Sequence, residues 1–580
     1  MGTDAHADTA PALSIASGPP LGAEPGLGTL TLPGFLREVT RRYGDREAVV
    51  LPGPDGGIRW TYADLWERTV EVARALRACG VGKGSRVGVL MTNRPEWIAS
   101  VFGTTLAGGV AVTISTFSTP SELDHMLRVS GVSVLLFERG VLKKDFADVL
   151  TELEPGIGTA APGDLQSAAF PHLRRVAMIG EPAVGGAIET WSAFLARGAD
   201  QPRELVEATA DSVEPSDAAV LFFSSGSTSR PKGILSAHRG VAIQLWRMRR
   251  LYGFSPDDHV RSWTANGLFW SGNFAIILGG TLASGGAVIL QRTFSAPEAL
   301  EFMQAERVNF PFAWPHQCAQ LEGAPNWLDV DLGSIRFADV TTSFTRHPTV
   351  TSDPWLEPGH AYGNTETFTL TTGYPANTPD EVHQGSYGRP LPGVTVAVAD
   401  PLTGAVLPLG ERGEICIKSP TLMLGYVGIP LDETLDSDGF FHTGDGGYLD
   451  ADDRLFWEGR LTDIIKTGGA NVSPLEVDEA LIGYPGVKVV RTVGVPHETL
   501  GEIVVSCIVP HENTTLEPEP IRAFLKERLA SYKVPRRVLF FREDEIEMTG
   551  TAKVKTADLR ELAAKRLQGQ EEAPAKRAPA

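Results

Sequence analysis

The stretch AAVLFFSSGSTSRPKGILSAHRGVAIQLWRMRRLYG, residues 218–253, decides the fold. Its opening run, AAVLFF, is short, apolar and bounded by turn residues, as a buried strand is. Its close, HRGVAIQLWRMRRLYG, carries a helical pattern. The same strand-then-helix texture appears in RVGVLM followed by EWIASVFGTTLAGG, and in VSVLLFE followed by VLKKDFADVLTEL. Such alternation predicts parallel sheets flanked by helices.

Between strand and helix lies a loop of Ser224, Ser225, Gly226, Ser227, Thr228 and Ser229, followed by Arg230, Pro231, Lys232 and Gly233. Gly226 allows a tight turn, hydroxyls and exposed amides can donate to phosphate oxygens, and Lys232 adds a positive charge. Pro231 stands where a Walker A loop requires glycine before lysine, so that motif is excluded. The stretch alone leaves two readings open, a phosphate receptor and a surface Ser-Gly loop.

At 580 residues the chain exceeds a single hydrophobic core, and a large and a small domain are expected. A composition of 42% hydrophobic and 21% charged residues is that of a soluble globular protein. The formal net charge of -19 argues against a nucleic-acid partner and for a small-molecule substrate. Cys79, Cys318, Cys416 and Cys507 are far apart with no CxxC pair, which suggests neither a structural zinc site nor a disulfide framework. A reducing, cytoplasmic setting is expected, with no signal segment and no membrane anchor. The apolar run FAIILGGTLASGGAVIL, residues 274–290, holds four glycines and is short for a bilayer span, so it reads as a buried helix-turn-strand.

Residues 1–28 and 567–580 lack apolar periodicity and are expected to be disordered tails. Beyond the alternating region the texture turns to strands and turns in TVAVAD, GEICIKS, GYLD and LFWEG, and then to a smaller α+β stretch. The expected fold class is α/β: a large N-terminal domain (residues 29–460) of helix-flanked sheets plus a strand-rich subdomain, and a small mobile α+β C-terminal domain (residues 461–566).

Four further stretches follow the Ser-Gly loop: AYGNTET (residues 361–367), HTGD (442–445), GRLTDIIKTGGANVSPLEVDEAL (459–481) and MTGTAKVKTADLRE (548–561). In this order and spacing, over roughly residues 35–567, the chain resembles the adenylate-forming acyl-CoA synthetases, luciferases and peptide-synthetase adenylation domains. The resemblance implies that residues 224–229 and Lys232 hold the β- and γ-phosphates of ATP. It sets Tyr362, with Gly363, against adenine, Thr365 on the α-phosphate and Glu366 on Mg²⁺. Asp445 would accept from the ribose hydroxyls with Arg460 close by, and Lys553 would bridge the substrate carboxylate and the α-phosphate. These roles suit the chemistry, because a carboxylate attacking an anionic phosphate meets like-charge repulsion that a cation and an ammonium offset.

The chain departs from the family pattern at four places. Ser229 replaces a usual glycine, Ala552 precedes Lys553, Thr462 stands at the hinge about which the small domain swings, and His360 precedes Ala361. Gly468 and Gly469 fall where the thiol tunnel for CoA passes in the family.

The segment VRSWTANGLFWSGNFAIIL, residues 260–278, contains no acidic residue to meet an ammonium, so an α-amino acid substrate is not expected. Trp263, Phe269, Trp270, Phe274 and Phe368 suggest a pocket for an apolar fatty or aryl acid. The resemblance implies that Ala361 belongs to that pocket and that Trp270 flanks the acyl chain, with a core aromatic as the other reading of Trp270. Three functions follow: an AMP-forming acid-CoA ligase; an adenylating enzyme that serves a separate carrier-protein thiol or an amine, or takes an unusual acid such as nitrite; and a catalytically silent nucleotide-binding relative.

Overall fold

The computed structural model describes residues 12–224, 231–467, 470–497, 499–512, 514–529, 532–546 and 556–571. Ser225, Gly226, Ser227, Thr228, Ser229, Gly468, Gly469 and Lys553, to which the sequence assigns expected roles, therefore lie outside the described residues.

The opening stretch does supply a strand and a helix. Ala218–Ser224 lies in an eight-stranded sheet, ordered Ile188–Thr190, Arg175–Ile179, Val134–Glu138, Arg86–Leu90, Val110–Thr113, Ala218–Ser224, Lys232–Ala237 and Gly425–Tyr426. All neighbours up to Ala218–Ser224 are parallel, as the alternation predicts. The last two joints are antiparallel, which corrects the expectation that the loop leads directly into a helix. Lys232–Ala237 has only two large apolar residues, Ile234 and Leu235, and they are adjacent, so no strand period shows, and its pairing with Ala218–Ser224 comes from hairpin hydrogen bonds that periodicity does not register. Helix His238–Leu251 follows it at once.

A second sheet is ordered Phe310–Pro311, Arg261–Thr264, Ala287–Leu290, Glu47–Leu51 and Ile58–Thr61. Helix Pro95–Leu106 is almost wholly buried, in keeping with its apolar residues on every side. Helix Tyr62–Ala78 begins with a capping box of Thr61 and Asp64. It turns Leu65, Trp66, Val70, Ala73 and Leu76 inward and stops before Gly80, whose φ of 81° no β-carbon would favour. The run at residues 274–290 forms a buried helical turn ending at Ala283 and the strand Ala287–Leu290, as expected. Among the described residues no helix is long and apolar enough to cross a membrane.

The strand-rich part is an antiparallel sheet ordered Ile15–Ser17, Thr395–Ala399, Gly413–Lys418, Phe441–Leu449 and Leu455–Arg460. All three sheets feed one core, which contains Val87, Val288 and Val398 together. Sheet membership then changes between Arg460 and Ile465, where strands Ile465–Thr467, Ala470–Val472, Val487–His497, Gly501–Pro510 and Arg537–Phe540 build the small domain with its own core around Val477, Ile508 and Leu525.

Both expected tails need correction. Residues 12–28 are ordered: Ile15–Ser17 pairs with Thr395–Ala399, and Glu24 is buried against Arg247. Order there comes mainly from edge hydrogen bonds and the ion pairs of Glu24 with Arg247 and Arg250, not from a periodic apolar face, so hydropathy does not register it. At the other end, helix Thr556–Glu571 runs into the stretch expected to be a tail.

Helix Pro474–Leu481 of the small domain carries Asp478, which is 5% exposed and whose pKa burial pushes from 3.8 up to about 7 against weaker help from Thr492 and Arg491. A raised carboxyl binds its proton in the folded chain at pH values where the unfolded chain has lost it. The stability this contributes is therefore full below about pH 4 and is lost as pH rises through about 7. Unfolding of the small domain should be easier at about pH 8 than at about pH 5 by roughly 2 to 4 kcal/mol. Asp478→Asn should flatten that dependence, and a slope unchanged in denaturant titrations across this range would remove Asp478 as its source.

Candidate active site

The site is assembled from residues distant in sequence. Strands Phe441–Leu449 and Leu455–Arg460 run antiparallel with Asp445 opposite Arg460 in register. Asp445 is 4% exposed. Its Oδ2 accepts from the Tyr362 hydroxyl at 2.6 Å, and its Oδ1 lies 3.0 Å from Arg460 Nε. Arg460 Nη1 donates to the Thr443 carbonyl at 2.6 Å, and the Asp445 amide donates to Thr443 Oγ1 at 3.1 Å. Burial raises the Asp445 pKa, Arg460 and Tyr362 pull it back, and the nearby Glu366 charge pushes it up again. Oδ1 accepts no hydrogen bond of regular geometry within the described residues despite its ion pair. One buried oxygen is thus left available to a ligand hydroxyl.

Strand Tyr362–Asn364 and strand Thr369–Gly373 frame the turn that carries Thr365 and Glu366. Thr367 donates its amide to Asn364 Oδ1 at 3.0 Å, and the Asn364 amide donates to Thr367 Oγ1 at 3.2 Å. Thr365 is half-buried at the turn, with its carbonyl accepting from the Phe368 amide at 3.1 Å. A β-carbon on Gly363 would lie 1.6 Å from the Thr369 carbonyl oxygen, so only glycine fits there. Phe368 and Thr369 take φ of 48° and 82°, left-handed values that side chains rarely adopt and that surrounding contacts must hold.

Glu366 is half-buried and accepts from the Tyr426 hydroxyl through Oε1 at 2.8 Å. Among the described residues its Oε2 accepts no hydrogen bond, which leaves a carboxylate oxygen of the kind a hard divalent cation binds. Burial and the Glu366 charge raise the Tyr426 phenol well above its usual range. Lys232 Nζ sits 5.0 Å from the centroid of the same Tyr426 ring, because Gly425–Tyr426 pairs with Lys232–Ala237. Tyr426 therefore joins the lysine after the Ser-Gly loop to the carboxylate of the Tyr-Gly stretch. No motif in the sequence marks Tyr426, since only strand pairing brings Gly425–Tyr426 to this place. Trp457 is unmarked too: its ring lies 6.1 Å from that of Tyr362.

The expected pocket residues divide. Trp270 is half-buried between two nearly parallel rings, Phe117 at 5.9 Å and 14° and Trp314 at 5.0 Å and 24°. Phe117 remains 49% exposed. Ala361 is half-buried beside Gly373. Phe368 is not an accessible wall: it has no exposure, and its ring packs against Phe222 and Phe274 in the core. A left-handed backbone turns it inward. His360, also left-handed at φ 49°, is exposed and stands 4.9 Å from the His383 ring. Thr462 is exposed in the turn after Arg460, whose carbonyl accepts from the amides of Asp463 and Ile464.

The family profile described as AMP-binding enzyme matches residues 36–427, and that of the AMP-binding enzyme C-terminal domain matches residues 476–553. A feruloyl-CoA synthase from Amycolatopsis sp is 30% identical over 515 residues, which is 87% of this chain and 94% of that protein. The amide bond synthetase McbA from Marinactinospora thermotolerans superposes with a TM-score of 0.71 at 26% identity, covering 92% of this chain and 99% of the other. An anthranilate CoA ligase, in complex with anthranoyl-AMP, shares the fold with a TM-score of 0.74 at 23% identity, covering 94% and 99%. The chain belongs to the AMP-binding enzyme family, and it is an ATP-dependent adenylate-forming ligase.

Proposed function

We propose that this ligase activates an apolar aryl or acyl carboxylic acid with ATP and transfers the acyl group to CoA. In the first step a carboxylate oxygen attacks the α-phosphorus, and the bond to pyrophosphate breaks to leave acyl-AMP. In the second a CoA thiolate attacks the acyl carbon, and AMP departs with the electrons of its bond. The observation that carries the proposal is the convergence of Tyr362, Asp445, Arg460 and Glu366 from three separate stretches, near enough for the charges of Glu366 and Arg460 to act on Asp445.

In this reading Tyr362 and Gly363 line the adenine side, Asp445 and Arg460 hold the ribose, and Thr365 meets the α-phosphate. The loop of residues 224–229 and Lys232 receives the leaving pyrophosphate. Glu366 would hold Mg²⁺, which supplies positive charge against the phosphate oxygens. Trp270, stacked with Phe117 and Trp314, offers an aromatic surface to the acid, and the acid-free segment 260–278 supports an uncharged acyl group. The small domain, beginning at residue 461 and turning about Thr462, would bring in Lys553 for the first step and line the CoA path with Gly468 and Gly469 for the second.

Mass spectrometry of purified protein with MgATP, a pool of aryl, fatty and small acids, and CoA present or absent tests the proposal. AMP with a CoA thioester is the expected outcome. An adenylate that ignores CoA would overturn the acceptor and favour an amine or carrier thiol, for which the similarity to an amide bond synthetase is the supporting observation.

Lys553→Ala should slow adenylate formation by about a hundred- to a thousand-fold while ATP still binds. An unaltered rate of AMP release would remove the lysine from the chemistry. Tyr426→Phe keeps the ring beneath Lys232 and removes only the hydrogen bond to Glu366. A bond to a charged group is worth roughly 1.5 to 3 kcal/mol, so adenylation should need about ten-fold or more Mg²⁺ for half its maximal rate. An identical magnesium titration would show that Tyr426 does not position that carboxylate.

A further inference from the structure

Cys416, Glu414 and His442 form the one group of three or more potential metal ligands among the described residues whose donor atoms all lie within 4.8 Å of one another. Strand pairing explains the meeting. Gly413–Lys418 and Phe441–Leu449 are antiparallel, Cys416 stands directly opposite His442, and Glu414 lies two residues back on the same strand. No spacing rule along the chain finds such a set, because its members are 26 and 28 residues apart.

The distances suit a metal. His442 Nδ1 lies 3.5 Å from Cys416 Sγ and 2.8 Å from Glu414 Oε2. Bonds of about 2.1 Å to nitrogen or oxygen and about 2.3 Å to sulfur put the vertices of a tetrahedral zinc site roughly 3.4 to 3.6 Å apart. The sulfur and nitrogen already stand at that separation, and the carboxylate needs to open by about half an ångström.

The surroundings hold these donors in place. His442 Nε2 lies 3.4 Å from Asp436 Oδ2, the carboxylate-histidine arrangement that orients a ligating imidazole and leaves its other nitrogen to the metal. Asp436 is itself tethered, its Oδ1 accepting from the amides of Asp438 at 2.9 Å and Phe440 at 2.8 Å. Glu414 Oε1 accepts from the Gly444 amide at 2.8 Å, so only Oε2 faces the other two donors. Cys416 is 2% exposed and backed by Ala397, Ala399 and Phe440, whereas the His442 side chain is 32% exposed and leaves a way in from solvent.

We propose that Cys416 Sγ, His442 Nδ1 and Glu414 Oε2 bind a borderline-soft divalent cation such as Zn²⁺, with Asp436 orienting the imidazole and water as the fourth ligand. The thiol proton is released to solvent as the metal-sulfur bond forms. A thiolate and an imidazole together select such an ion over Mg²⁺, so the site is chemically distinct from the Glu366 carboxylate. It is also joined to the nucleotide corner, since Glu414 holds the amide of Gly444 next to Asp445. The proposal stands independently of the acid that the enzyme activates.

The test uses the full chain, stripped with chelator and then dialysed without nucleotide against Zn²⁺ or Co²⁺. About one tightly held ion per chain is expected, and the cobalt form should show a near-ultraviolet thiolate-to-cobalt band. Cys416→Ala should abolish that band and weaken binding by at least ten-fold, and Asp436→Asn should weaken it by roughly ten-fold with the band retained. Thermal melts of each metal-free variant check that the fold persists. A wild-type protein with no thiolate-to-cobalt band, or with Zn²⁺ affinity equal to that of Cys416→Ala, would overturn the site.

Discussion

Asp445→Ala is expected to lower kcat/KM for ATP in adenylate formation by roughly a hundred- to ten-thousand-fold. If both ribose hydroxyls donate to this carboxylate, the variant loses two hydrogen bonds to a charged acceptor, each worth roughly 1.5 to 3 kcal/mol. The carboxylate is well placed for that role. It is 4% exposed, fixed through Oδ2 by Tyr362 and drawn by Arg460, and its Oδ1 has no regular hydrogen bond within the described residues. The same substitution also unpairs the buried Tyr362 hydroxyl, which adds a structural cost to the lost ligand bonds. Deoxy-ATP separates the two causes. The wild type should discriminate strongly against ATP lacking a ribose hydroxyl, whereas Asp445→Ala should treat the two nucleotides nearly alike. Equal discrimination in both proteins would assign ribose recognition elsewhere.

Glu24→Ala should destabilise the large domain by about 3 to 5 kcal/mol, the usual consequence of stranding one member of a buried ion pair. The side chains of Arg247 and Glu24 are 0% and 1% exposed. Arg247 Nε and Nη2 both reach the carboxylate, Nη2 to Oε2 at 2.7 Å, and Nη2 also donates to the Pro392 carbonyl at 2.8 Å. Arg250 approaches the same carboxylate at 3.3 Å. Without Glu24 the Arg247 charge would stay in the core between helix His238–Leu251 and the segment before strand Thr395–Ala399. A double variant, Glu24→Leu with Arg247→Met, should recover most of the loss, because an apolar pair avoids the desolvation of two charges. Urea denaturation followed by tryptophan fluorescence measures both. A midpoint unchanged in Glu24→Ala would mean that the buried Glu24–Arg247 pair contributes nothing to the stability of the folded state.

By itself the sequence determined the α/β class, the large and small domains and the membership in the AMP-binding enzyme family. Those properties are written locally: strand runs alternating with helical patterns record parallel sheets, and chemically marked motifs keep their order along the chain. Tyr362, Asp445, Arg460 and Glu366 were legible for that reason, and the structure brings them together. Tertiary structure alone decided what depends on partners far away in the chain. Lys232–Ala237 became a strand because Ala218–Ser224 and Gly425–Tyr426 offered hydrogen bonds on either side. Residues 12–28 became ordered because a sheet edge and Arg247 were waiting for them. Phe368 went into the core because a left-handed backbone turned it toward Phe222 and Phe274. Tyr426 reached Glu366, and Cys416 faced His442, through strand register, which a linear pattern does not encode because it is settled by pairing between segments and not within them.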